Sequence, residues 1–221
     1  MFAEKILVEG NAFPGLFARS SDSLTITGFI QEKFKLALER VLQTKIISIG
    51  LAGSNLAGIY CALNSKGIVV PHFALASEVR ALKSLGLNVL VLKGRFTAIG
   101  NNVVANDSGA VANPFMSREE VEQVSDALGV EVVQRPIAGH TTVGSACVAT
   151  NKGFLAHRDA GEEELEELGK IFKVRGGIGT CNMGVPYTRI SLVANSKGFV
   201  YGERTSGFEL SRIVESLGFL D

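Results

Sequence analysis

Self-similarity at a fixed period constrains this chain more than any other feature. L-N-S-K-G ends at Gly67, A-N-D-S-G at Gly109, T-N-K-G at Gly153 and A-N-S-K-G at Gly198, giving spacings of 42, 44 and 45 residues. Gly58, Gly100 and Gly144 each stand nine residues before the first three of these glycines, whereas the last copy has Arg189 at that place. A degenerate first copy opens at Gly15, where G-L-F-A-R-S-S-D-S keeps the outline and lacks the closing Gly. The 221 residues therefore divide into five copies. A repeat of this length is one supersecondary unit that buries its apolar face against its neighbours.

Each copy spells strand, strand, helix, strand. I-Y-C-A-L, N-V-V-A and S-L-V-A read as short buried strands. The Asn-rich turn then reverses the chain, because Asn bonds its own backbone and Gly accepts turn conformations. I-V-V, A-V-A, F-L-A and F-V-Y supply the second strands. Ser117 with Glu120, and Ser206 with Glu209, carry the capping box that opens a helix. Val121, Val124 and Leu128 return at helical spacing and mark its buried face. Asn88–Leu92 and Val130–Val133 read as third strands. The last copy ends at L-G-F-L-D without one, and Lys5–Gly15 matches the segment Asn88–Gly100, so the N-terminus is expected to complete the fifth unit. The prediction is an α/β closed ring of five strand-strand-helix-strand repeats with pseudo-fivefold symmetry, one domain over residues 1–221, with no free sheet edge.

Lys plus Arg and Asp plus Glu both number 22, which argues against phosphate neutralisation as the main source of affinity. No segment has the length or apolarity of a signal peptide core or membrane span, so a cytoplasmic address without membrane contact is expected. Three cysteines cannot all pair in one chain and read as free thiols. Cys61 and Cys147 each follow their copy's first Gly by three residues, where other copies hold Val103 and Leu192, so the site is an apolar core position. Cys181, in G-G-I-G-T-C-N-M-G, is the one cysteine this argument leaves outside the core. His72, His140 and His157 show no metal-ligand spacing and read as loop residues, so no metal and no cofactor are expected. The G-x-G at Gly177 to Gly179 has no following helix to hold a phosphate, and the acidic run Glu162–Leu168 reads as a solvated helix face.

L-A-G-S-N-L-A-G, T-A-I-G-N, A-N-D-S-G, T-V-G-S-A-C-V-A-T-N-K-G-F-L-A-H, A-N-S-K-G and T-S-G-F-E-L follow one another in an order that resembles the translation initiation factor 6 family in its short archaeal form. The resemblance covers essentially the whole chain. It implies the pentein fold, the α/β propeller of five units, and a job without chemistry. That job is binding the large ribosomal subunit on its intersubunit face, beside the sarcin-ricin loop and a neighbouring ribosomal protein, with ribosomal RNA a further contact. The small subunit is then unable to join. It also implies a part in late maturation of the large subunit and no small-molecule substrate. The sequence stops at Asp221, without the tail of the similar eukaryotic members, so regulation through such a tail is not expected.

By symmetry the turns before each first Gly share one end of the ring, and that end is the expected ribosome contact. Asn101 is the foremost candidate, because Ile59, Ser145 and Ile190 at matching places show that no backbone need forces Asn there. Phe13, Gly15, Gly58, Gly144 and Ser145 occupy related turns, and Arg189 replaces the glycine usual in the similar family. The rival expectation is a pentein enzyme that modifies guanidino groups through a Cys nucleophile, for which Cys181 is the available thiol.

Overall fold

In the computed structural model, which describes residues 2–28 and 31–220, five three-stranded sheets surround a common axis. Asp221, where the sequence stops, lies outside the described residues. The inner strands are Ala18–Ser20, Ala62–Leu63, Val103–Ala105, Cys147–Ala149 and Leu192–Ala194. Each pairs antiparallel with a middle strand: Leu24–Thr27, Gly67–Pro71, Gly109–Ala112, Phe154–His157 and Phe199–Gly202. Each middle strand pairs in parallel with an outer strand, namely Lys45–Ser48, Asn88–Leu92, Glu131–Gln134, Gly176–Gly179 and, for the fifth sheet, Ala3–Ile6 from the N-terminus. Ala3 lies opposite Phe199 and Ile6 opposite Gly202, so the first strand does complete the last unit.

The parallel middle-to-outer crossover requires a helix. Glu32–Leu42, Ala76–Lys83, Arg118–Leu128 and Glu162–Phe172 supply it in repeats 1 to 4, and Gly207–Ser216 takes the same place after the fifth middle strand, whose outer partner comes instead from the N-terminus. Ser117 and Ser206 cap two of these helices in the expected boxes, with hydroxyl and carboxylate satisfying each other's backbone donors. A short helical turn precedes every inner strand: Pro14–Leu16, Ala57–Tyr60, Ile99–Asn102, Val143–Ala146 and Thr188–Ser191. Each inner strand neighbours the next one around the axis, and Leu192–Ala194 neighbours Ala18–Ser20, which closes the ring. The sheets' remaining faces and the long helices form separate apolar clusters around the circumference, one between each pair of layers.

The strand directions give the ring two unlike ends. Every inner strand runs from its short helical turn to its Asn-type turn. The middle and outer strands run the opposite way, so the loops that follow them lie beside the short helical turns.

Candidate functional site

At the Asn-turn end, the repeated motif builds the ring itself. Asn64, Asn106 and Asn195 accept backbone N–H groups from the residues two and three positions on, at 2.9 to 3.2 Å, as a turn Asn should. Their amides then reach into the next repeat. Asn64 Nδ2 donates to the carbonyls of Asn106 and Leu128, Asn106 Nδ2 to those of Thr150 and Phe172, and Asn195 Nδ2 to those of Ser21 and Leu42. One acceptor in each pair is the equivalent turn residue and the other is a carbonyl from a helix C-terminus, one of the orphan groups every helix leaves. Ser21 and Thr150 take the Asn place in repeats 1 and 4. Their hydroxyls accept the same local N–H groups but carry no amide to cross the boundary.

The other motif positions are equally committed. Lys66 Nζ donates to the Gly129 carbonyl at 2.8 Å and Lys197 Nζ to that of Gln43 at 3.0 Å, placing cations on helix C-termini. A Cβ at Gly67, Gly109 or Gly153 would fall under 3.0 Å from the carbonyl oxygen of Ala127, Ile171 or Ser216, so the closing glycine lets the next helix approach. Asn151 Nδ2 donates to carboxylate oxygens of both Asp22 and Asp107, tying repeats 1, 3 and 4 together near the axis.

At the opposite end, close backbone approach joins the repeats around the axis. Gly15, Gly58 and Gly144 are buried with Gly100 in a closed circle: a Cβ on Gly58 would meet the Gly15 carbonyl, one on Gly100 that of Gly58, and one on Gly144 that of Gly100, all under 3.0 Å. A Cβ on Gly15 would meet the Arg189 carbonyl, so Arg189 is the fifth member. These four expected contact residues therefore form the wall of the ring and show no exposed side chain. Arg189 turns inward and is 5% exposed, so it adds no surface charge.

The residue after each of these five is half-buried: Leu16, Ile59, Asn101, Ser145 and Ile190 form a collar around the mouth of the ring. Asn101 differs from its neighbour in a telling way. Asn102 is buried, donating Nδ2 to the Ala98 carbonyl and accepting from Asn113 Nδ2. The Asn101 side chain makes no hydrogen bond among the described residues, and its backbone N–H alone is tied, to the Ala98 carbonyl. Phe13 stands half-buried at the start of Pro14–Leu16, its N–H bonded to Asn11 Oδ1 at 2.9 Å. The structure thus brings Asn101 and Ser145 together on the collar, while Phe13 sits one turn outside it.

Several exposed apolar side chains share this end, and sequence reasoning missed them. Phe73, Leu75 and Phe115 follow middle strands, Met183 follows the outer strand Gly176–Gly179, and Phe208 lies in the first turn of Gly207–Ser216. Phe115, Phe208 and Met183 are 64%, 73% and 74% exposed. Phe73 and Phe115 stand two residues before their helix caps, where repeats 4 and 5 have Asp159 and Arg204. That alignment was the signal available, and it needed the caps in register to be seen. The loops are pinned from below by the third helical residue. Glu78 accepts from the N–H groups of Ala52 and Gly53, Glu164 from Ala138, and Glu209 from Met183 and Gly184. Burial by itself would raise Glu209, but bonds from Ser206, Gly184 and Thr180 hold its carboxyl below the usual range.

Two expectations about reactive side chains are corrected. Cys181 is fully buried in the core formed by repeats 4 and 5, because the loop folds back to bond Val185 in both directions. Burial, with Glu209 nearby, pushes its thiol well up, and burial pushes Cys61 up to about 11 and Cys147 further. A nucleophile needs the opposite shift. His157 is not a loop residue: it ends a middle strand, is 2% exposed, and its ring lies 4.5 Å from that of His140, with Tyr187 of the next repeat against both. The loop Ile137–His140 brings His140 from outside the strand, so two residues from non-equivalent positions of the repeat meet. Among the described residues no group of three or more His, Cys, Asp or Glu side chains is arranged to hold a metal, and no helix is long and apolar enough to cross a membrane.

The model of the eIF-6 family matches residues 3–216. The chain is similar to the protein named translation initiation factor 6 from Pyrococcus abyssi (strain GE5 / Orsay), with 36% identity over 227 residues spanning all of both chains. The protein of the same name from Thermoplasma acidophilum is 39% identical over 207 residues, covering 93% of this chain and 94% of the relative. That from Haloquadratum walsbyi is 37% identical over 214 residues, covering 96% and 95%.

Proposed function

Since the chain belongs to the eIF-6 family, we propose that it binds the large ribosomal subunit at the intersubunit face and keeps the small subunit from joining by occupying its place. The contact is the end of the ring that carries the short helical turns, with Asn101 and Ser145 on the collar and Phe73, Phe115, Met183 and Phe208 around it. The observation that supports this reading best is the unspent amide of Asn101, half-buried and without a partner among the described residues, beside an Asn102 whose amide both donates and accepts internally. Exposed aromatic and Met side chains near a free polar group have the composition of a protein-binding patch. The partner surface is then a ribosomal protein near the sarcin-ricin loop, with ribosomal RNA at the rim. Binding energy does the work in this mechanism, no transition state is stabilised, and the buried thiols are suited to packing alone. A role in late maturation of the same subunit follows if the factor is loaded before the subunit is released for joining.

Co-sedimentation with isolated large subunits from the same source, followed by addition of small subunits, tests this. The expected result is retention on the large subunit with reduced joining. Migration at the top of the gradient with joining unaffected would refute it.

A further inference from the structure

Two arginines lie inside the ring where the other repeats keep small residues. Arg19 occupies the inner-strand position of Ala62, Val104, Val148 and Val193, and Arg189 stands where the other four repeats have Gly. Their exposures are 3% and 5%. Arg19 Nη2 donates to the Val103 carbonyl at 3.2 Å, and Arg189 donates Nη1 to the Leu192 carbonyl at 2.9 Å and Nη2 to that of Ala18 at 3.5 Å. Ala18, Val103 and Leu192 are equivalent first residues of three inner strands, so both guanidinium groups sit at one level of the axis.

The accounting of charge at this level is incomplete. Among the described residues neither arginine pairs with a carboxylate. Arg19 Nη1 is buried with no hydrogen-bond partner. Burial lowers the pKa of both, and Arg189 is lowered further by the like charge of Arg19. Carbonyl dipoles ease two positive charges but cancel neither, and a guanidinium does not escape the problem by losing its proton.

We propose that the ring axis binds one small monovalent anion of the halide class between Arg19 and Arg189, with Arg19 Nη1 as a donor. A halide fits better than an oxyanion. Inner-strand carbonyls line the same level, and a tetrahedral oxyanion would turn some of its oxygens toward them, whereas a sphere can rest against the two guanidinium groups alone.

The thermal midpoint of the purified full chain, measured as bromide replaces gluconate at constant ionic strength, tests the site without a change in screening. The midpoint is expected to rise by about 3–5 °C per tenfold bromide once the site is filling. In Arg19→Val/Arg189→Gly, which restores residue types the other repeats use, it is expected to stay level. Anomalous diffraction from wild-type crystals grown in bromide is expected to show a peak on the axis within hydrogen-bond reach of Arg19 Nη1, and this arm holds even if the double variant fails to fold. A wild-type midpoint indifferent to bromide, a dependence that survives in a folded double variant, or an axis occupied by water alone would each overturn the proposal.

Discussion

The two ends of this ring are made from the same five repeats and use them differently. At the Asn-turn end, side chains carry the joints: three amides cross from one repeat to the next, lysines sit on helix C-termini, and Asn151 bridges Asp22 and Asp107. At the other end close backbone approach carries the joint nearest the axis, through Gly15, Gly58, Gly100, Gly144 and Arg189, and Glu78, Glu164 and Glu209 tie the loops farther out, which leaves the Asn101 side chain on the collar out of both. The comparison explains why the most repetitive sequence is the least promising place to look for a partner. A motif whose amides, lysines and glycines are committed to repeat boundaries has few atoms left over, while a collar seated on close backbone contacts can vary its side chains repeat by repeat.

Substitutions at the two ends should therefore separate stability from binding. The largest effect is expected for Gly144→Val, whose side chain would enter the Gly100 carbonyl. A loss of about 3–5 kcal/mol in denaturant unfolding is expected, since backbone must move to admit it. A loss near zero would show that the glycine circle is not a close-packed joint. Asn106→Ala removes two donors and two acceptor sites together and should cost about 2–3 kcal/mol. The converse change sharpens the point. Thr150→Asn supplies the missing amide at the boundary between repeats 4 and 5, where the carbonyls of Asn195 and Leu217 occupy the equivalent places, and should gain about 1 kcal/mol.

Acid should loosen one boundary at the collar end. Burial, then the neighbouring His140, lowers the pKa of His157 in the fold. Its neutral form is thus favoured in the native state, so the stability this gives is present above the ordinary histidine pKa of about 6.5 and is lost as pH falls below it. Unfolding midpoints followed from neutral to mildly acid pH should fall more for wild type than for His157→Phe, and equal slopes would remove His157 from the account. The smallest stability effect is expected for Asn101→Ser, within about 0.5 kcal/mol of wild type, because the amide has no bond to lose among the described residues.

Much of the architecture was legible in the sequence, and the exceptions have physical causes. The period, the turn glycines and the match between Lys5–Gly15 and Asn88–Gly100 give the closed ring with its N-terminal strand, because they reflect local backbone demands that recur five times. The turn Asn was readable as a turn former, but its second job, crossing to the next repeat, depends on a neighbour about 44 residues away and leaves no local mark. Thr150, not Asn151, fills that place in repeat 4, three residues before the closing Gly, and its hydrogen bonds agree with that register. Cys181 was left outside the core because it lies in a connecting loop, away from the position three residues after a first Gly that placed Cys61 and Cys147, yet the loop closes on itself and carries the thiol inward. On the collar, Asn101 stood out by contrast with Ile59, Ser145 and Ile190. The surrounding Phe115 and Met183 did not, since a single apolar residue in a loop is ordinary until the fold sets several at one end.

The most direct test sets one end against the other in the same gradient. Asn101→Ser and Phe115→Asp at the collar end, and Ser108→Arg at the Asn-turn end, should be compared for retention on isolated large subunits after each variant is shown to melt near the wild-type midpoint. The collar-end variants are expected to lose retention and no longer reduce subunit joining, while Ser108→Arg is expected to sediment and block joining as wild type does. Loss of retention with Ser108→Arg and full retention with both collar-end variants would contradict this and move the binding face to the end that builds the ring.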